Sequence, residues 1–426
     1  MNKSIAIFVA ALLLAATGLR AQNRIHFNNQ DLFLSGANLA WQFFADDIGP
    51  DPSTPDLAHF DDVFSQIQTN GGNVLRLWLH TTGANTPAWS GSQVTGPGSG
   101  TIADLQDILD NAWQHNTGVI LTLWSFDMMR TNNGSTITSR SRNILTNSIY
   151  RQEYIDNALV PMVQALKGHP AIIAWEIFNE PEGMSDEFDF SGVDHVAMTN
   201  IQAFINLSAG AIHRTDPKAK VTNGSWSFTA TTDVGAGNTN YYTDTRLTAA
   251  GGDPLGHLDF YTVHYYDWMG TNNSPFFHPC SYWGLDKPLV IAEFFPPFRQ
   301  SGDTNICTSC GATPFETLYE NGYAGALTWS WTDSDHAAML AQMADMTGAH
   351  PADVLVVPPL TIYRQSTNTA IVYWSSPSYL WKVQQSTALH TNVWTAPSDS
   401  LNDDGVHISI RVSPLIGNRF YRLYHQ

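Results

Sequence analysis

Two glutamates stand at the ends of apolar runs that lie far apart in the chain. Glu180 lies near the end of the run that begins at Ala171, and Glu293 lies near the end of the run that begins at Pro288. If folding brings both to one pocket, such a pair can cleave a glycosidic bond, because one carboxyl protonates the leaving oxygen while the other attacks carbon or activates water. Burial and the neighbouring charge would separate their pKa values. The alternative is two unrelated glutamates that accept hydrogen bonds from loop amides.

Eight nearly continuous apolar runs have the composition of strands buried on both faces. They are Phe33–Trp41, Asn73–His80, Gly118–Phe126, Ala171–Pro181, Lys220–Trp226, Asp259–Tyr266, Pro288–Phe294 and Ala324–Trp331. Amphipathic helices are predicted in four of the stretches between them: 56–64, 102–115, 154–166 and 196–213. This alternation predicts an α/β fold, a (β/α)8 TIM barrel, in which reactive side chains stand at the carboxyl ends of the strands.

Polar side chains at other predicted strand ends suit the same pocket. His264 and Tyr266 have the same parity along their strand, so both can face the cavity. Arg76 interrupts an apolar strand, where an unpaired charge is costly, so it needs an acidic partner. That partner is either the attacking carboxylate or Glu176, which shares its strand parity with Glu180.

Tryptophans are concentrated at the same predicted rim. Trp329 and Trp331 end the eighth run with a common parity, and Trp124 ends the third run. Flat aromatic faces stack on the C–H surfaces of sugars, so these residues are candidates for substrate binding. Core packing is the alternative for any single tryptophan, and for Trp331 both interpretations stay open.

Taken together, these residues resemble glycoside hydrolase family 5 and, more broadly, the retaining (β/α)8 clan with glutamates on strands four and seven. The resemblance covers roughly residues 30–345. It rests on these motifs in this order of strands: Arg76, Asn179-Glu180-Pro181, His264-x-Tyr266, Glu293 and Trp329. It implies double displacement with retention of configuration and carboxyl groups about 5–5.5 Å apart.

The resemblance also implies a role for each motif residue. Glu180 is implied as the acid/base and Glu293 as the nucleophile. Tyr266 and Arg76 are implied to position the nucleophile, and Asn179 to contact the sugar 2-hydroxyl.

Two further contacts are implied, and one position departs from the family pattern. His264 would hydrogen-bond near the reacting centre, and Trp329 would be the platform at the sugar being cleaved. Many members end strand three with a histidine, where this chain has Trp124, which predicts a more apolar subsite. Short sequence motifs such as Arg76-Leu77-Trp78 look most like those of β-mannanases. Mannan or glucomannan is therefore the favoured substrate, and cellulose or another β-glucan is the alternative.

The sequence also allows functions of other classes. The chain could be a non-catalytic carbohydrate-binding protein on a hydrolase scaffold, although it keeps both glutamates. It could be a metal-dependent hydrolase with Asp333, Asp335 and His336 as ligands, for which a solvated loop is the alternative. A transglycosylase would share every residue named above. Our prediction is a hydrolase that needs neither a metal nor another cofactor.

Composition and the N-terminus bear on partners and compartment. The chain has 426 residues, 43% of them hydrophobic, and a formal charge of −18, which disfavours binding to nucleic acid. Lys3, an apolar run and Ala21 predict a signal peptide over residues 1–21, with an uncleaved anchor as the alternative. We expect a secreted or periplasmic monomer with no membrane-spanning segment, and association with the cell surface stays open.

The end of the chain changes character after residue 350. Residues 22–350 are predicted as the catalytic domain and residues 351–426 as a small all-β, sandwich-like module, because short alternating runs and turn residues replace the long apolar runs. Its aromatic residues either fill a core or form a strip that binds sugar: Trp374, Tyr379, Trp381 and Trp394.

Three cysteines fall in one region of the chain. Cys280, Cys307 and Cys310 fit an oxidising compartment, with one disulfide and one spare thiol. A zinc or redox site at the C-x-x-C pair is the alternative, but no second ligand pair accompanies it.

Overall fold

Eight parallel strands pair in sequence order and close into a barrel. The computed structural model describes residues 23–51, 53–296, 313–376, 381–388, 393–405 and 407–425. The barrel strands are β1 Leu34–Asn38, β2 Val74–Thr81, β3 Gly118–Ser125, β4 Ile172–Asn179, β5 Val221–Ser225, β6 Tyr261–His264, β7 Leu289–Glu293 and β8 Gly325–Thr328. The predicted (β/α)8 TIM barrel is therefore confirmed.

The barrel strands are buried on both faces, as their apolar composition predicts. Every residue of β2 and of β3 is buried. A close approach between β1 and β2 requires a glycine at Gly36, because a Cβ there would lie 1.9 Å from the carbonyl oxygen of Val74. Tight packing of this kind fixes the register of the strands and therefore the height at which each rim side chain emerges.

Helices cover the outside of the barrel. They are α1 Leu57–Thr69, α2 Thr101–Gln114, α3 Ser135–Thr146, α4 Ser148–Tyr154, α5 Val160–Ala165, α6 Met198–Thr215, α7 Phe228–Thr231, α8 Asp244–Gly251, α9 Pro314–Glu320, α10 His336–Ala349 and α11 Pro351–Val354. The helices predicted over 56–64, 102–115 and 196–213 are present as α1, α2 and α6. The helix predicted over 154–166 is interrupted by a π-helical turn, Ile155–Leu159, between α4 and α5.

Helix α1 illustrates how the sequence pattern produces the packing. The Asp56 side chain accepts a hydrogen bond from the backbone amide of His59 and begins the helix. Phe60, Val63, Phe64 and Ile67 then follow at helical spacing and are fully buried against the barrel. Each such side chain contributes about 1.5–3 kcal/mol relative to an exposed one.

The N-terminal end of the barrel is closed by a hairpin of two strands, Ile25–Phe27 and Gln30–Leu32. Its apolar side chains join those of β1, β2 and β3 in one buried cluster. The opposite, carboxyl end of the strands is left open. No helix in the described part of the chain is long and apolar enough to cross a membrane.

The C-terminal region forms a small all-β module. Its strands are β9 Thr361–Ser366, β10 Thr369–Ser375, β11 Trp381–Ser386, β12 Leu401–Asp403, β13 His407–Val412 and β14 Phe420–His425. They form an antiparallel sheet in the order β9-β10-β13-β12 and a second antiparallel pair of β11 and β14. The module has its own core of Val372, Trp374, Val383, Ile410 and Val412.

The segment between barrel and module packs on the barrel. Asn73 donates a hydrogen bond to the carbonyl oxygen of Val354 at 2.7 Å, and Asn28 donates one to that of Val357 at 2.9 Å. The contacts of the barrel therefore extend to Val357, beyond the boundary predicted at residue 350. The first strand of the module begins four residues later, at Thr361.

The aromatic residues of the module do not share one surface. Trp374 is buried in the core of the module, and Trp381 packs against the core cluster of the barrel. The guanidinium carbon of Arg422 lies 4.4 Å from the ring centroid of Trp394. Tyr379 lies outside the described residues. These positions favour packing over a continuous strip for Trp374 and Trp381.

Candidate active site

The two glutamates emerge at the carboxyl ends of β4 and β7 and face each other. A carboxylate oxygen of Glu180 lies within 4.8 Å of one of Glu293. Glu180 directly follows β4 and adopts a left-handed backbone conformation with φ of 47°. Its amide donates a hydrogen bond to the carbonyl oxygen of Gly224 at 2.7 Å, which ties the end of β4 to β5.

Arg76 donates hydrogen bonds to four side chains of the site. It is fully buried, and its Nη1 donates to Glu293 Oε1 at 2.7 Å and to Asn38 Oδ1 at 2.9 Å. Its Nε donates to Glu176 Oε1 at 2.8 Å, and its Nη2 to Asn179 Oδ1 at 2.8 Å. Arg76 therefore contacts both acidic partners that the sequence left open. Burial opposes its charge, but the two carboxylates raise the pKa of Arg76 above its ordinary value.

Close packing around Arg76 requires a glycine on β5. A Cβ at Gly224 would lie 2.9 Å from Nη2 of Arg76 and 3.0 Å from Oε1 of Glu176. Thr122 and Thr262 satisfy the rest of Glu176, donating to its two oxygens at 2.9 Å each. The buried charges are therefore fully hydrogen-bonded, as low-dielectric surroundings demand.

Glu293 is held by two donors. Tyr266 Oη donates to its Oε2 at 2.6 Å, and Arg76 holds its Oε1. Burial raises the pKa of Glu293 to about 7, and the charge of Arg76 and the hydrogen bond from Tyr266 act in the opposite direction. Both donors favour the ionised form that a nucleophile needs.

Glu180 has a different environment. Its Oε1 lies 2.9 Å from Nδ1 of His264, which is itself fully buried. Burial, followed by the charge of Glu293, raises the pKa of Glu180 well above its ordinary value. Burial and the charge of Arg76 hold the pKa of His264 well below its ordinary value, so its imidazole is neutral at neutral pH. A carboxyl that keeps its proton near neutral pH can act as a general acid.

Both glutamates open onto one cavity of about 790 Å3. Two groups of aromatic side chains line it: Trp41, Phe44, Trp78 and Trp329 from β1, β2 and β8 or their loops, and Phe126, Phe190, Trp226, Tyr266, Trp268 and Phe295 from the loops after β3 to β7. Polar groups of the loop after β3 complete the lining: Asp127, Arg130, Asn132 and Asn133. A cleft of this kind fits a chain of sugar rings, which offer C–H faces and hydroxyl edges.

The structure brings most predicted site residues together but not all of them. Arg76, Asn179, Tyr266 and Glu293 form one hydrogen-bonded group. His264 Nδ1 lies 2.9 Å from Glu180 Oε1 and 3.5 Å from Glu293 Oε2, and Trp329 lies in the cavity wall beside Trp41 and Trp78. Two predicted aromatic residues, Trp124 and Trp331, do not line the cavity.

Trp124 and Trp331 are packed into the barrel instead. Trp124 is 1% exposed, with ring centroids of His80 and Tyr154 at 4.7 and 5.3 Å. Trp331 is 3% exposed and stacks on His336 at 4.5 Å. Core packing therefore accounts for both residues, because their rings meet protein on the faces that a sugar would need.

Sequence reasoning missed several members of the site, among them Asn38, Asp127 and Arg130. Asn38 ends β1 and donates to the carbonyl oxygens of Ala292 and Thr328, so the rule that searches strand ends for polar groups would have found it. Asp127 and Arg130 form an ion pair in the loop after β3. Neither loop position follows from strand parity, and only the folded loop places them in the cavity.

The metal-ligand set considered from sequence does not assemble. Asp335 begins α10 by accepting the amides of Ala337 and Ala338, and Asp333 accepts the hydroxyl of Ser330. His336 contacts the carbonyl oxygen of Trp331 through Nε2. Each side chain has its own local partner, as expected for a loop before a helix.

Cys280 is buried, and it forms no disulfide among the described residues. Cys307 and Cys310 lie outside that part of the chain, so the predicted pairing stays a prediction.

Comparison with known proteins agrees with the geometry. The family model for cellulase (glycosyl hydrolase family 5) matches residues 51–357. The chain belongs to glycosyl hydrolase family 5. The predicted family is thus confirmed, and the match ends where the C-terminal segment leaves the barrel.

The relatives within this family carry one activity in their names. The chain is 38% identical over 351 residues to a mannan endo-1,4-beta-mannosidase of Mytilus edulis, covering 76% of this chain and 91% of the relative. It is 35% identical to a protein of the same name from Cryptopygus antarcticus, covering 76% and 87%. The crystal structure of the beta-mannanase from Mytilus edulis superposes with a TM-score of 0.69 at 35% identity, covering 78% of this chain and 96% of that one.

Proposed function

We propose that the protein is a secreted endo-β-1,4-mannanase that cleaves mannan or glucomannan with retention of configuration. One observation carries the mechanism: oxygens of Glu180 and Glu293 approach within 4.8 Å. Retaining glycosidases hold their carboxyl groups about 5–5.5 Å apart, whereas inverting enzymes leave about 6.5–9.5 Å for a water molecule.

In the first step, Glu293 attacks the anomeric carbon and Glu180 gives its proton to the departing glycosidic oxygen. The bond from carbon to that oxygen breaks as the bond from carbon to the Glu293 carboxylate forms. The product is a covalent glycosyl-enzyme and a shortened polysaccharide with a free hydroxyl. The raised pKa of Glu180 supports its role as the proton donor.

In the second step, Glu180 works in the reverse direction. Its carboxylate removes a proton from water, the water oxygen attacks the anomeric carbon, and the bond to Glu293 breaks. Two inversions at the same carbon restore the original configuration. If a sugar hydroxyl replaces water, the same residues perform transglycosylation, which product analysis distinguishes from hydrolysis.

The surrounding contacts divide the work of the two steps. Arg76 and Tyr266 hold Glu293 in place and favour its ionised form. Asn179 accepts from Arg76 through its Oδ1 and donates to Ser125 Oγ at 3.4 Å through its Nδ2, so its amide group is held at the cavity, where the second N–H can meet a sugar hydroxyl. Held donors and acceptors need little rearrangement during reaction, which is the main source of electrostatic catalysis.

The substrate assignment rests on the relatives and on the shape of the cleft. Two relatives with at least 35% identity are named for mannan cleavage. The cleft is open and both groups of aromatic side chains line it, which suits the binding of several sugar rings within a chain and therefore internal cleavage. Cellulose or another β-glucan is the second candidate, since the matching family model carries the name cellulase.

The test is a product profile on purified β-glycans. The full chain should release oligosaccharides from mannan and glucomannan, with viscosity falling faster than reducing ends appear, and release little from cellulose or mixed-linkage glucan. Preferred release from cellulose would replace the substrate assignment. No cleavage of any β-glycan would favour the carbohydrate-binding alternative.

Secretion and the monomeric state are parts of the same proposal. The basic Lys3, the apolar run after it and Ala21 support export with cleavage near residue 21. N-terminal sequencing of protein recovered from the periplasm or medium should begin near Gln22. Size-exclusion chromatography with light scattering should give a mass slightly below 47.0 kDa, and a dimeric mass would overturn the monomer.

A further inference from the structure

A third glutamate lies behind the catalytic pair, and no step above uses it. Glu182 is completely buried, in the turn Pro181–Met184 that follows Glu180. Ser225 Oγ donates to its Oε1 at 2.6 Å, and the amide of Trp226 donates to its Oε2 at 3.0 Å. Tyr242 Oη also donates to its Oε1.

This arrangement is that of an ionised carboxylate rather than a neutral acid. All three neighbours present donors, and an ionised carboxylate can only accept hydrogen bonds. Burial raises the pKa of Glu182 above its ordinary value, and hydrogen bonds from Ser225, Tyr242 and the Trp226 amide oppose that rise by favouring the ionised form. No ion pair to Glu182 is found in the part of the chain that the structure describes. A buried carboxylate without a cation is costly, so its presence calls for a specific use.

The position of Glu182 joins two parts of the cleft. Its own turn carries Glu180, which stands two residues earlier. Its partners Ser225 and Trp226 lie at the end of β5, and the indole of Trp226 lines the cavity and stacks on Trp268 at 5.6 Å. The carboxylate of Glu182 therefore links two elements by hydrogen bonds. One is the turn that begins at Glu180, and the other is the end of β5, where Trp226 lines the cavity.

We propose that Glu182 is a positioning residue that holds Glu180 in its protonated, proton-donating form and fixes Trp226 in the cleft wall. The inference rests on the proposed function and adds a regulator of the same site. Glu182 itself touches no substrate in this account. It acts through its charge on Glu180 and through its hydrogen bond to the Trp226 backbone.

Charge at Glu182 acts on Glu180 together with other groups. The titratable and charged side chains that face Glu180 from the surrounding elements are Arg76 on β2, Asp127 after β3, His264 on β6, Tyr266 after β6, Glu293 on β7 and Glu182 in its own turn. Of these, the negative groups Glu293, Glu182 and Asp127 favour the protonated acid, while Arg76 opposes it. Among these three negative groups, Glu293 is paired with Arg76 and Asp127 with Arg130. Glu182 is buried without such a cation and lies only two residues from Glu180 in sequence.

The decisive variant is Glu182→Gln in the full chain. The amide oxygen of glutamine can accept from the Trp226 backbone, and its NH2 group can donate to the hydroxyls of Ser225 and Tyr242, which rotate to accept. The shape is thus preserved while the charge is removed. We expect the basic limb of the kcat/KM profile to move to lower pH by about 0.5–1 unit, because Glu180 loses its proton more readily.

Three further variants separate charge from position. Glu187→Gln makes the same chemical change five residues further on, at an exposed side chain that accepts the Met198 amide, and should leave the pH profile unchanged. Glu182→Ala removes the anchor of Trp226 and should raise KM as well as moving the basic limb. If neither Glu182 variant folds by circular dichroism, Tyr242→Phe keeps the carboxylate, removes one donor and should move the same limb by a smaller amount.

The outcomes distinguish this inference from the proposed function. A wild-type enzyme that cleaves no mannan overturns the proposed function itself. An active wild type whose Glu182→Gln variant is folded and has an unmoved basic limb overturns the role of Glu182 alone. An equal shift in Glu187→Gln would show a general effect of surface charge and would overturn it as well.

Discussion

The surroundings of Glu293 and of Glu180 differ more than their shared residue type and shared cavity would lead one to expect. Glu293 is the last residue of β7, is 3% exposed and accepts hydrogen bonds from Arg76 and Tyr266. Glu180 stands just beyond β4 in a left-handed turn, with His264 as its side-chain hydrogen-bond partner. The donors around Glu293 favour its ionised form, whereas Glu180 is placed where a proton is hard to remove.

This difference supports the two tasks that we propose for the two glutamates. Burial raises the pKa of both groups, but donated hydrogen bonds oppose it strongly only at Glu293. The charge of Glu293 then adds to the desolvation of Glu180. The division of roles is thus set by neighbours on β2 and after β6 rather than by the glutamates themselves.

The largest effect is expected from loss of the nucleophile. Glu293→Ala should reduce kcat by about 10⁴-fold or more, because no covalent intermediate can form. The measurement is the initial rate on glucomannan, with Glu187→Gln as the matched control for loss of a distant carboxylate. Activity within tenfold of wild type would remove Glu293 from the mechanism.

The fall in kcat on loss of the acid/base Glu180 should be nearly as large when the substrate is polysaccharide. Its size should depend on the leaving group of the substrate. Glu180→Ala should lower kcat on mannan by about 10²–10⁴-fold, since general acid catalysis contributes that much. An aryl glycoside with an acidic phenol needs no proton, so its first step should be nearly unaffected and should show a burst. The same loss on both substrates would contradict the assigned role.

A smaller effect is expected from Tyr266→Phe, which removes one donor from Glu293 and keeps the ring. We expect kcat/KM to fall by about ten- to a hundredfold. The hydrogen bond lowers the pKa of Glu293, so its loss should raise that pKa and move the acidic limb of the pH profile to higher pH. A profile shifted at the basic limb instead would reverse the roles of the two glutamates.

The smallest effect concerns stability and has opposite expectations for the two sites. The pKa of Glu180 is raised in the folded state, so between its unfolded and folded pKa values the group loses a proton when the chain unfolds. This ionisation favours the unfolded state, and the free energy of unfolding falls with rising pH until the folded group itself ionises. Glu180→Gln should therefore raise the unfolding temperature at neutral pH by about 1–3 °C. The pKa of Glu293 is raised as well, to about 7, but Glu293→Gln also leaves Arg76 with one charged partner fewer. These two effects oppose each other, so this variant should give no gain in unfolding temperature, as differential scanning calorimetry can test.

Sequence alone predicted the barrel and the approach of the two glutamates because both follow from strand-level rules. Continuous apolar runs mark strands buried on both faces, and the rule that places chemistry at strand ends finds Glu180 and Glu293. Arg76 follows from the cost of an unpaired charge inside an apolar strand. His264 and Tyr266 followed from parity on a short strand, and both do reach the carboxyl pair.

Position near a strand end and strand parity did not predict which tryptophans line the cavity. Trp331 shares parity with Trp329, but it lies three residues beyond Thr328, where β8 ends, so strand alternation no longer governs it. Trp124 lies within β3, yet the neighbouring rings of His80 and Tyr154 enclose it. Whether an aromatic ring faces sugar or protein depends on contacts between segments that are distant in sequence, such as β2 and α4 around Trp124, and these contacts are not encoded in local spacing. The same holds for Glu182, whose partners come from β5 and from the segment before α8.

The measurement that tests the central claim most directly is trapping of the covalent intermediate. A 2-deoxy-2-fluoro mannosyl fluoride slows both steps, but slows release of the sugar more, so a glycosyl-enzyme should accumulate. Peptide mass spectrometry should then find the sugar mass on the peptide that contains Glu293, and fragmentation should place it on that residue. An enzyme that cleaves mannan but gives no adduct, or carries the sugar on Glu180 or elsewhere, would contradict the account.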